Sequence, residues 1–271
     1  MTYRSNDQQQ VEFECLASSS EGNAYIVRFP PLPGFKTERN LMIECGLPIK
    51  ELETKAMAAN VLLKDIYACI VTHRHNDHSA SIKDLMNRGM RVYANSNTIG
   101  ELLTHSMAKQ IEAGEFFEPI PGIMVYAFAT EHDVPSLGFI INDQISNSTI
   151  AFINDTHTFD ATKFLELKID FLFIECNHIR KQLETVISTA RKSTDEKEKS
   201  KLFKYTRQRD YHLSLAGTKK MIREMFAYEN LRAIFLMHLS TEMANAFVMR
   251  NEIEKTFKIR TYICGKNGGI Q

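Results

Sequence analysis

Apolar residues in this chain gather in short runs, some alternating with polar positions and some filled throughout, separated by Gly, Pro, Asn and Ser breaks. Runs of this length read as strands, and longer stretches with a 3.6-residue repeat read as helices. Val11 to Ala17 is predicted as a strand with Phe13 and Cys15 on one face; Ser18 to Asn23 is a turn and Ala24 to Phe29 the return strand. Pro30-Pro31-Leu32-Pro33-Gly34 breaks the pattern, Asn40 to Cys45 forms a third strand, and Ile49 to Asn60 has helical periodicity. Strand and helix then alternate: strand Ile66–Val71, helix Ser79–Arg88, strand Met90–Ala94, helix Thr98–Lys109. Further strands follow at Phe116–Ile120, Ile123–Ala129, Leu137–Asn142, Ser148–Ile153, Asp170–Cys176 and Leu231–Met237. After His238-Leu239-Ser240 a helix runs to about Phe257, then a strand at Ile259–Cys264 and a flexible Gly-Lys-Asn-Gly-Gly tail. Each half is thus β-rich and then βα-rich. Two mixed sheets packed face to face with helices outside satisfy that order. Residues 1–10 are predicted as a flexible arm and 11–271 as one domain without repeats.

Composition narrows the function classes only a little. Lys+Arg and Asp+Glu are both 33, so net charge points to no nucleic-acid or membrane partner and only its distribution carries information. Cys15, Cys45, Cys69, Cys176 and Cys264 all fall in apolar stretches, none within ligand spacing of another. They read as buried reduced thiols and imply a reducing, cytoplasmic compartment. The polar N-terminus offers no secretory signal, and no run is long enough to span a bilayer.

The chemistry concentrates in Thr72-His73-Arg74-His75-Asn76-Asp77-His78-Ser79, between a strand and a helix. Ligand sites gather where a strand feeds a loop in α/β proteins. Imidazole nitrogen and carboxylate oxygen are the donors that Zn²⁺ and similar ions take. A solvated loop has no reason to hold three of the nine histidines. His132, Asp155 and His238 each follow a strand and could complete the site. Alternatives stand beside each: a hydrogen-bonded loop histidine for His132, a helix N-cap for Asp155, a helix-start histidine for His238. His105 and His157 have no motif around them and read as surface or structural.

The order H-x-H-x-D-H, lone His, lone Asp, late His resembles the metallo-β-lactamase fold over residues 11 to about 264. The resemblance implies an α+β, four-layered αβ/βα sandwich with the site at one edge of the sheets. It also implies that His73, His75 and His132 hold one metal, that Asp77, His78 and His238 hold a second, and that Asp155 bridges them. Leu16-Ala17-Ser18-Ser19-Ser20-Glu21-Gly22-Asn23, His132-Asp133-Val134-Pro135, Glu175-Cys176-Asn177-His178, His212-Leu213-Ser214 and His238-Leu239-Ser240 resemble the WalJ/YycJ-type branch of bacterial and phage DNA exonucleases. Two positions depart from that branch: Glu44 replaces the usual Asp after the third strand, and Ser18 or Ser19 the usual Gly.

Two divalent ions about 3.5–4 Å apart can share a hydroxide and clamp a phosphoryl oxygen. The expected activity is therefore phosphodiester hydrolysis, with Zn²⁺ and Mn²⁺ equally compatible. Asp77 would orient the nucleophile or hold its proton, and His212 or His178 would serve the leaving oxygen. Between His178 and His212, residues 180–209 carry ten Lys and Arg against four acids, with Phe203 and Tyr205 among them. Such a segment can track a DNA backbone, or it can be a solvated helix face of internal ion pairs. Only 83 residues (238 − 155) separate Asp155 from His238, which leaves no room for a large RNA-clamp insertion. Two other readings compete: a hydrolase of a small cyclic nucleotide, thioester or lactam, and a binding protein with a dead metal site. The complete ligand set argues against the last.

Overall fold

Strand alternation sends side chains to opposite faces of two sheets in the computed structural model, which describes residues 3–4, 11–164, 166–225 and 230–271. The first sheet holds β1 (Tyr3–Arg4), β2 (Glu12–Ser19), β3 (Gly22–Phe29), β4 (Arg39–Ile43), β5 (Ile66–Ile70), β6 (Arg91–Ala94) and β7 (Ala108–Gln110), in that spatial order. The second is built from β8 (Phe116–Ile120), β9 (Ile123–Glu131), β10 (Ser136–Asp143), β11 (Ser148–Ile153), β12 (Thr158–Phe159), β13 (Phe171–Glu175), β14 (Ala233–Met237) and β15 (Thr261–Ile263). Its order is β12-β9-β10-β11-β13-β14-β15, with β8 paired to β9. Hairpins open each sheet, and parallel strands close it: β4 to β7 in the first, β11, β13, β14 and β15 in the second. The helices are α1 (Ile49–Ala58), α2 (Asn76–Ser79), α3 (Ile82–Asn87), α4 (Ser96–Ile99), α5 (Arg180–Lys192), α6 (Glu196–Tyr211), α7 (Leu215–Glu224) and α8 (Ala246–Phe257).

Every second residue of the central strands meets the other sheet. Phe13, Tyr25, Leu41, Ile70, Phe152, Phe173 and Phe235 share one core between the sheets, where Phe13 meets Phe171 and Phe173 edge-on, each at 5.0 Å. Phe173 stacks on Phe235 at 4.3 Å. The intervening residues face outward. Ile26, Met42 and Cys69 pack under α1 and α3, and Leu172, Ile174, Ile234 and Leu236 under α7 and α8. The result is the expected four-layered αβ/βα sandwich. All five cysteines are buried and free. Among the described residues no helix is long and apolar enough to cross a membrane.

Several sequence expectations need correction. The helix expected at Thr98–Lys109 is α-helical only as far as Ile99 and tightens to a 3-10 helix over Gly100–Thr104, where Gly100 takes a positive φ of 49°; Ala108–Gln110 instead pairs with β6 as an edge strand. The helix expected from Ser79 starts earlier as α2 and is interrupted at Ser81, whose N–H is taken by the Cys45 carbonyl at 3.0 Å. The turn at Ser18–Asn23 tightens to Ser20-Glu21, since strand pairing continues through Ser19↔Gly22. The last helix begins only at Ala246, capped by Asn245. The glycine-rich tail is pinned: Gly269 N–H donates to Cys15 O at 2.8 Å and Gln271 N–H to Ile263 O at 3.0 Å. Of the expected N-terminal arm, Tyr3–Arg4 pair with Phe13 and Glu12, and the rest lies outside the described residues.

At one end of the sandwich a buried ion pair joins the sheets. Arg39 on β4 donates to Asp143 on β10 at 2.7 Å, and both side chains are almost fully buried. Its other donors go to Pro30 O at 2.7 Å and Pro121 O at 3.0 Å. Removing one partner strands a buried charge. Asp143→Ala is expected to lower the unfolding free energy by about 3–5 kcal/mol, read as a fall in the denaturant midpoint; an unchanged midpoint would show that Arg39 finds water or another acceptor.

Candidate metal centre

Ligand-type side chains converge at the edge where the parallel strands end. β5 leads into His73 and His75, β9 into His132, β11 into Asp155, β13 into Glu175 and β14 into His238, while α2 carries Asp77 and His78. Each strand is held on both sides by its sheet, so each side chain starts from a fixed point. Rigid placement of this kind is what a metal site needs.

The side chains form two groups that share one residue. His73, His75, His132 and Asp155 offer donor atoms within 4.8 Å of one another, and so do Asp77, His78, Asp155 and His238. In the first group His75 Nδ1 lies 3.0 Å from His73 Nε2 and 3.2 Å from His132 Nε2. Asp155 Oδ2 is 3.5 Å from His73 Nε2 and 3.6 Å from His132 Nε2. In the second, His78 Nε2 is 3.3 Å from Asp77 Oδ2 and 3.2 Å from Asp155 Oδ2. His238 Nε2 completes it, 3.5 Å from Asp77 Oδ2 and 3.9 Å from Asp155 Oδ2. A tetrahedron with arms of about 2.1 Å has edges of about 3.4 Å. The spacing of these donors fits a divalent ion in each group.

Supporting contacts surround the donors. Glu44, fully buried, reaches His78 Nδ1 at 3.2 Å and accepts from Thr72 Oγ1 at 2.6 Å. Glu44 therefore props both ends of the His-rich segment. Asn23 Nδ2 donates to Asp77 O at 3.2 Å, and Ser18 Oγ accepts the His238 N–H at 2.9 Å. Gln208 on α6 donates to Asn177 Oδ1 at 2.7 Å, and Asn177 Nδ2 donates to His238 O at 2.8 Å. Glu44, Asp155 and His238 have positive φ of 62°, 48° and 54°. Left-handed backbone at non-glycine residues costs energy and concentrates at functional sites.

Electrostatics point the same way. Burial works against charge on His78, yet Asp77 and Glu44 hold its pKa well above the ordinary imidazole value. Burial also opposes a charged His238, but Asp155, Asp77 and Glu175 push it up to about 9. For the carboxyls burial favours the neutral form. Even so, His78 and His238 hold Asp77 far below the usual range, and His212, His238 and His132 do the same for Asp155. His73 and His132 are lowered, first by burial and then by neighbouring imidazoles. The carboxylates stay ionised because positive charge on neighbouring imidazoles compensates them, the place that divalent cations can take.

His212 closes a third group. Its Nδ1 lies 2.7 Å from Glu175 Oε1 and 2.8 Å from Asp155 Oδ1, and its ring stacks on His238 at 5.3 Å. Burial lowers it, but these two carboxylates raise it well above the ordinary value. His178 is placed differently. It is buried, its backbone bridges Ser214, and burial lowers its pKa to about 4. It is not among the residues lining the cavity over the donors.

That cavity, about 450 Å³, is lined by His75, Asp77, His132, Asp155, His212 and His238 on one side and by Phe203, Lys204, Arg207 and Gln208 of α6 on the other. A larger cavity of about 810 Å³ lies elsewhere, against α1 and the segments 62–66 and 88–90, and contains none of these donors. Residues 180–209 fold as α5 and α6, and many of their cations are paired: Lys199 with Glu196, Lys201 with Glu198, Lys204 with Glu242, Arg207 with Asp133. The segment is partly the ion-paired helix face and partly a wall of the cavity. His157 is exposed and His105 half-buried, and neither belongs to the donor groups. Sequence reasoning missed Gln208 altogether, and it noted Glu44, Asn23 and Glu175 only inside motifs. A lone acid or amide at the end of an apolar strand was the available signal.

Comparison with known proteins agrees with this picture. The beta-lactamase superfamily domain matches residues 39–238. Exodeoxyribonuclease YycJ of Bacillus anthracis is 28% identical over 177 residues, 62% of this chain and 63% of that protein. Exodeoxyribonuclease WalJ of Streptococcus pneumoniae (strain D39) is 22% identical over 175 residues, 62% of each chain. The chain thus matches under two thirds of the length of these curated relatives. The crystal structure of YhfI from Bacillus subtilis, a metallo-beta-lactamase fold protein, superposes with a TM-score of 0.69 at 17% identity, covering 97% of this chain and 99% of that one. That likeness speaks for the fold.

Gly46 offers a test of the site's construction. A Cβ there would lie 1.7 Å from Asp77 O and 2.0 Å from Asp77 C, both backbone atoms. Gly46→Ala must therefore push α2 outward and with it Asp77 and His78. The expected result is a folded protein by circular dichroism that retains less than half the normal metal in elemental analysis. Full metal content would show that α2 can shift without losing the site.

Proposed function

This chain belongs to the beta-lactamase superfamily, and we propose that within it the protein is a divalent-metal-dependent phosphodiesterase acting on DNA, an exonuclease of cytoplasmic DNA repair or recombination. The observation that carries the reading is one cavity holding two His/carboxylate groups that share Asp155, walled by the cationic and aromatic residues of α6. The relatives named as exodeoxyribonucleases support it over the part of their length that matches.

In this reading His73, His75 and His132 would hold one ion, Asp77, His78 and His238 would hold the other, and Asp155 would serve both. Zn²⁺ and Mn²⁺ both suit imidazole and carboxylate donors. When bound, the ions supply an acidified water and positive charge for the phosphoryl oxygens. The chain's own groups do the rest. Asp77, with Oδ2 between His78 and His238, orients the attacking water. Lys204 and Arg207 attract the phosphate from the opposite wall. His212, with Nδ1 held between Asp155 and Glu175 and its ring at the cavity, is placed to give a proton to the leaving 3′-oxygen. Of the two histidines considered for that step, His212 is the one that lines the cavity.

A second reading, hydrolysis of a small cyclic nucleotide, thioester or lactam, draws on the same wall. The α6 residues narrow the cavity to about 450 Å³, a size that suits a small ligand.

End-labelled single-strand and duplex DNA, incubated with the protein and Mn²⁺ or Zn²⁺, separates the two. Metal-dependent mononucleotide release is expected. Asp77→Ala and His75→Ala are each expected to lose more than about 100-fold in rate while keeping the native circular dichroism spectrum. Activity retained in either variant would sink the two-ion arrangement. Cleavage of bis(p-nitrophenyl) phosphate without any digestion of DNA would favour the small-molecule reading.

A further inference from the structure

Helix α6 is amphipathic toward α5. Leu202 and Tyr205 pack with Leu183, Ile187 and Met243 in a small apolar cluster. Phe203 does not belong to that cluster and is 73% exposed. Packing gives no reason for a phenyl ring at this position. The ring instead stands between two cavities: the 450 Å³ cavity over the metal-type donors, and a neighbouring one of about 350 Å³ lined by Asp133, Thr206, Asp210 and Tyr211. Among the described residues only Phe203 and Arg207 line both. They lie four residues apart on the helix and so share one face.

We propose that Phe203 and Arg207 form a divider between two nucleotide subsites, so that the substrate is a strand of at least two nucleotides, with the base beyond the scissile one stacked on Phe203. This inference rests on the nuclease reading above and deepens it. A phosphodiester linking the two cavities must cross the divider, where Arg207 stands. Asp133 takes part of the Arg207 guanidinium, and the Tyr211 ring lies 6.0 Å from it. Both contacts fix the plane of a group with five N–H donors, leaving others for the phosphate. An exposed aromatic ring beside a cation is the pairing that single strands use irrespective of sequence, because every base has a π-face. Asp133 also lies 3.0 Å from His132 Nε2, so the divider is coupled to the first donor group.

The test compares KM values of the metal-loaded protein for an oligothymidylate and for the methyl ester of thymidine monophosphate, which has one base and no ring beyond the scissile bond. Phe203→Ala is expected to raise KM for the oligonucleotide by about 5- to 150-fold relative to the ester, the loss of one base–aromatic stack. Phe203→Trp is expected to restore the ratio. The exposed ring makes a folding defect a poor alternative, and Phe203→Trp controls for it. An unchanged ratio in Phe203→Ala, with oligothymidylate still digested, overturns the subsite and leaves the nuclease reading intact. Failure to digest oligothymidylate while bis(p-nitrophenyl) phosphate is cleaved overturns both.

Discussion

One carboxylate oxygen, Asp155 Oδ2, lies within 3.9 Å of donor nitrogens from His73, His78, His132 and His238. Those residues come from three separate places in the chain, and both sheets contribute to them. A buried carboxylate with no compensating charge is costly, so its neighbours must supply positive charge as protons or as metal ions. The whole edge of the sandwich is arranged to meet that demand. Strand ends supply the donors, left-handed backbone at Asp155 and His238 aims them, and Glu44 and Asn23 brace α2 from behind.

The cost of this arrangement is met elsewhere. The core between the sheets is dense with aromatic rings, from Phe13 across to Phe171, Phe173 and Phe235. At another place the Arg39–Asp143 pair ties β4 to β10. Such a frame can hold strained backbone and like-charged carboxylates together without collapse. It also leaves the site side free to carry α5 and α6, which rest on only a small apolar cluster of their own. Through Gln208 and Asn177 the helix that walls the cavity is connected to His238, so the position of α6 and the geometry of the second donor group are mechanically linked.

Much of this was legible in the linear chain. The His73–His78 cluster stood out because its spacing has no structural use in a solvated loop. Strand periodicity located nearly every central strand to within a residue or two, since alternation between two apolar environments is a local signal. The failures share a cause. Residues 98–109 have helical spacing, but β6 offers an open edge that Ala108–Gln110 satisfies. The terminal glycines read as flexible because nothing local showed that Cys15 O would hold Gly269.

By itself, then, the sequence determined the alternation that makes a two-sheet core, and which ligand-type His and Asp residues follow its strands. Those depend on residue type and near neighbours. Only the tertiary structure decided that Glu44 and Asn23 hold α2, that His212 lines the cavity while His178 does not, and that Phe203 stands between two cavities. Each of these is a distance between residues remote in the chain, and such distances are set by sheet register and helix packing, which no local pattern encodes.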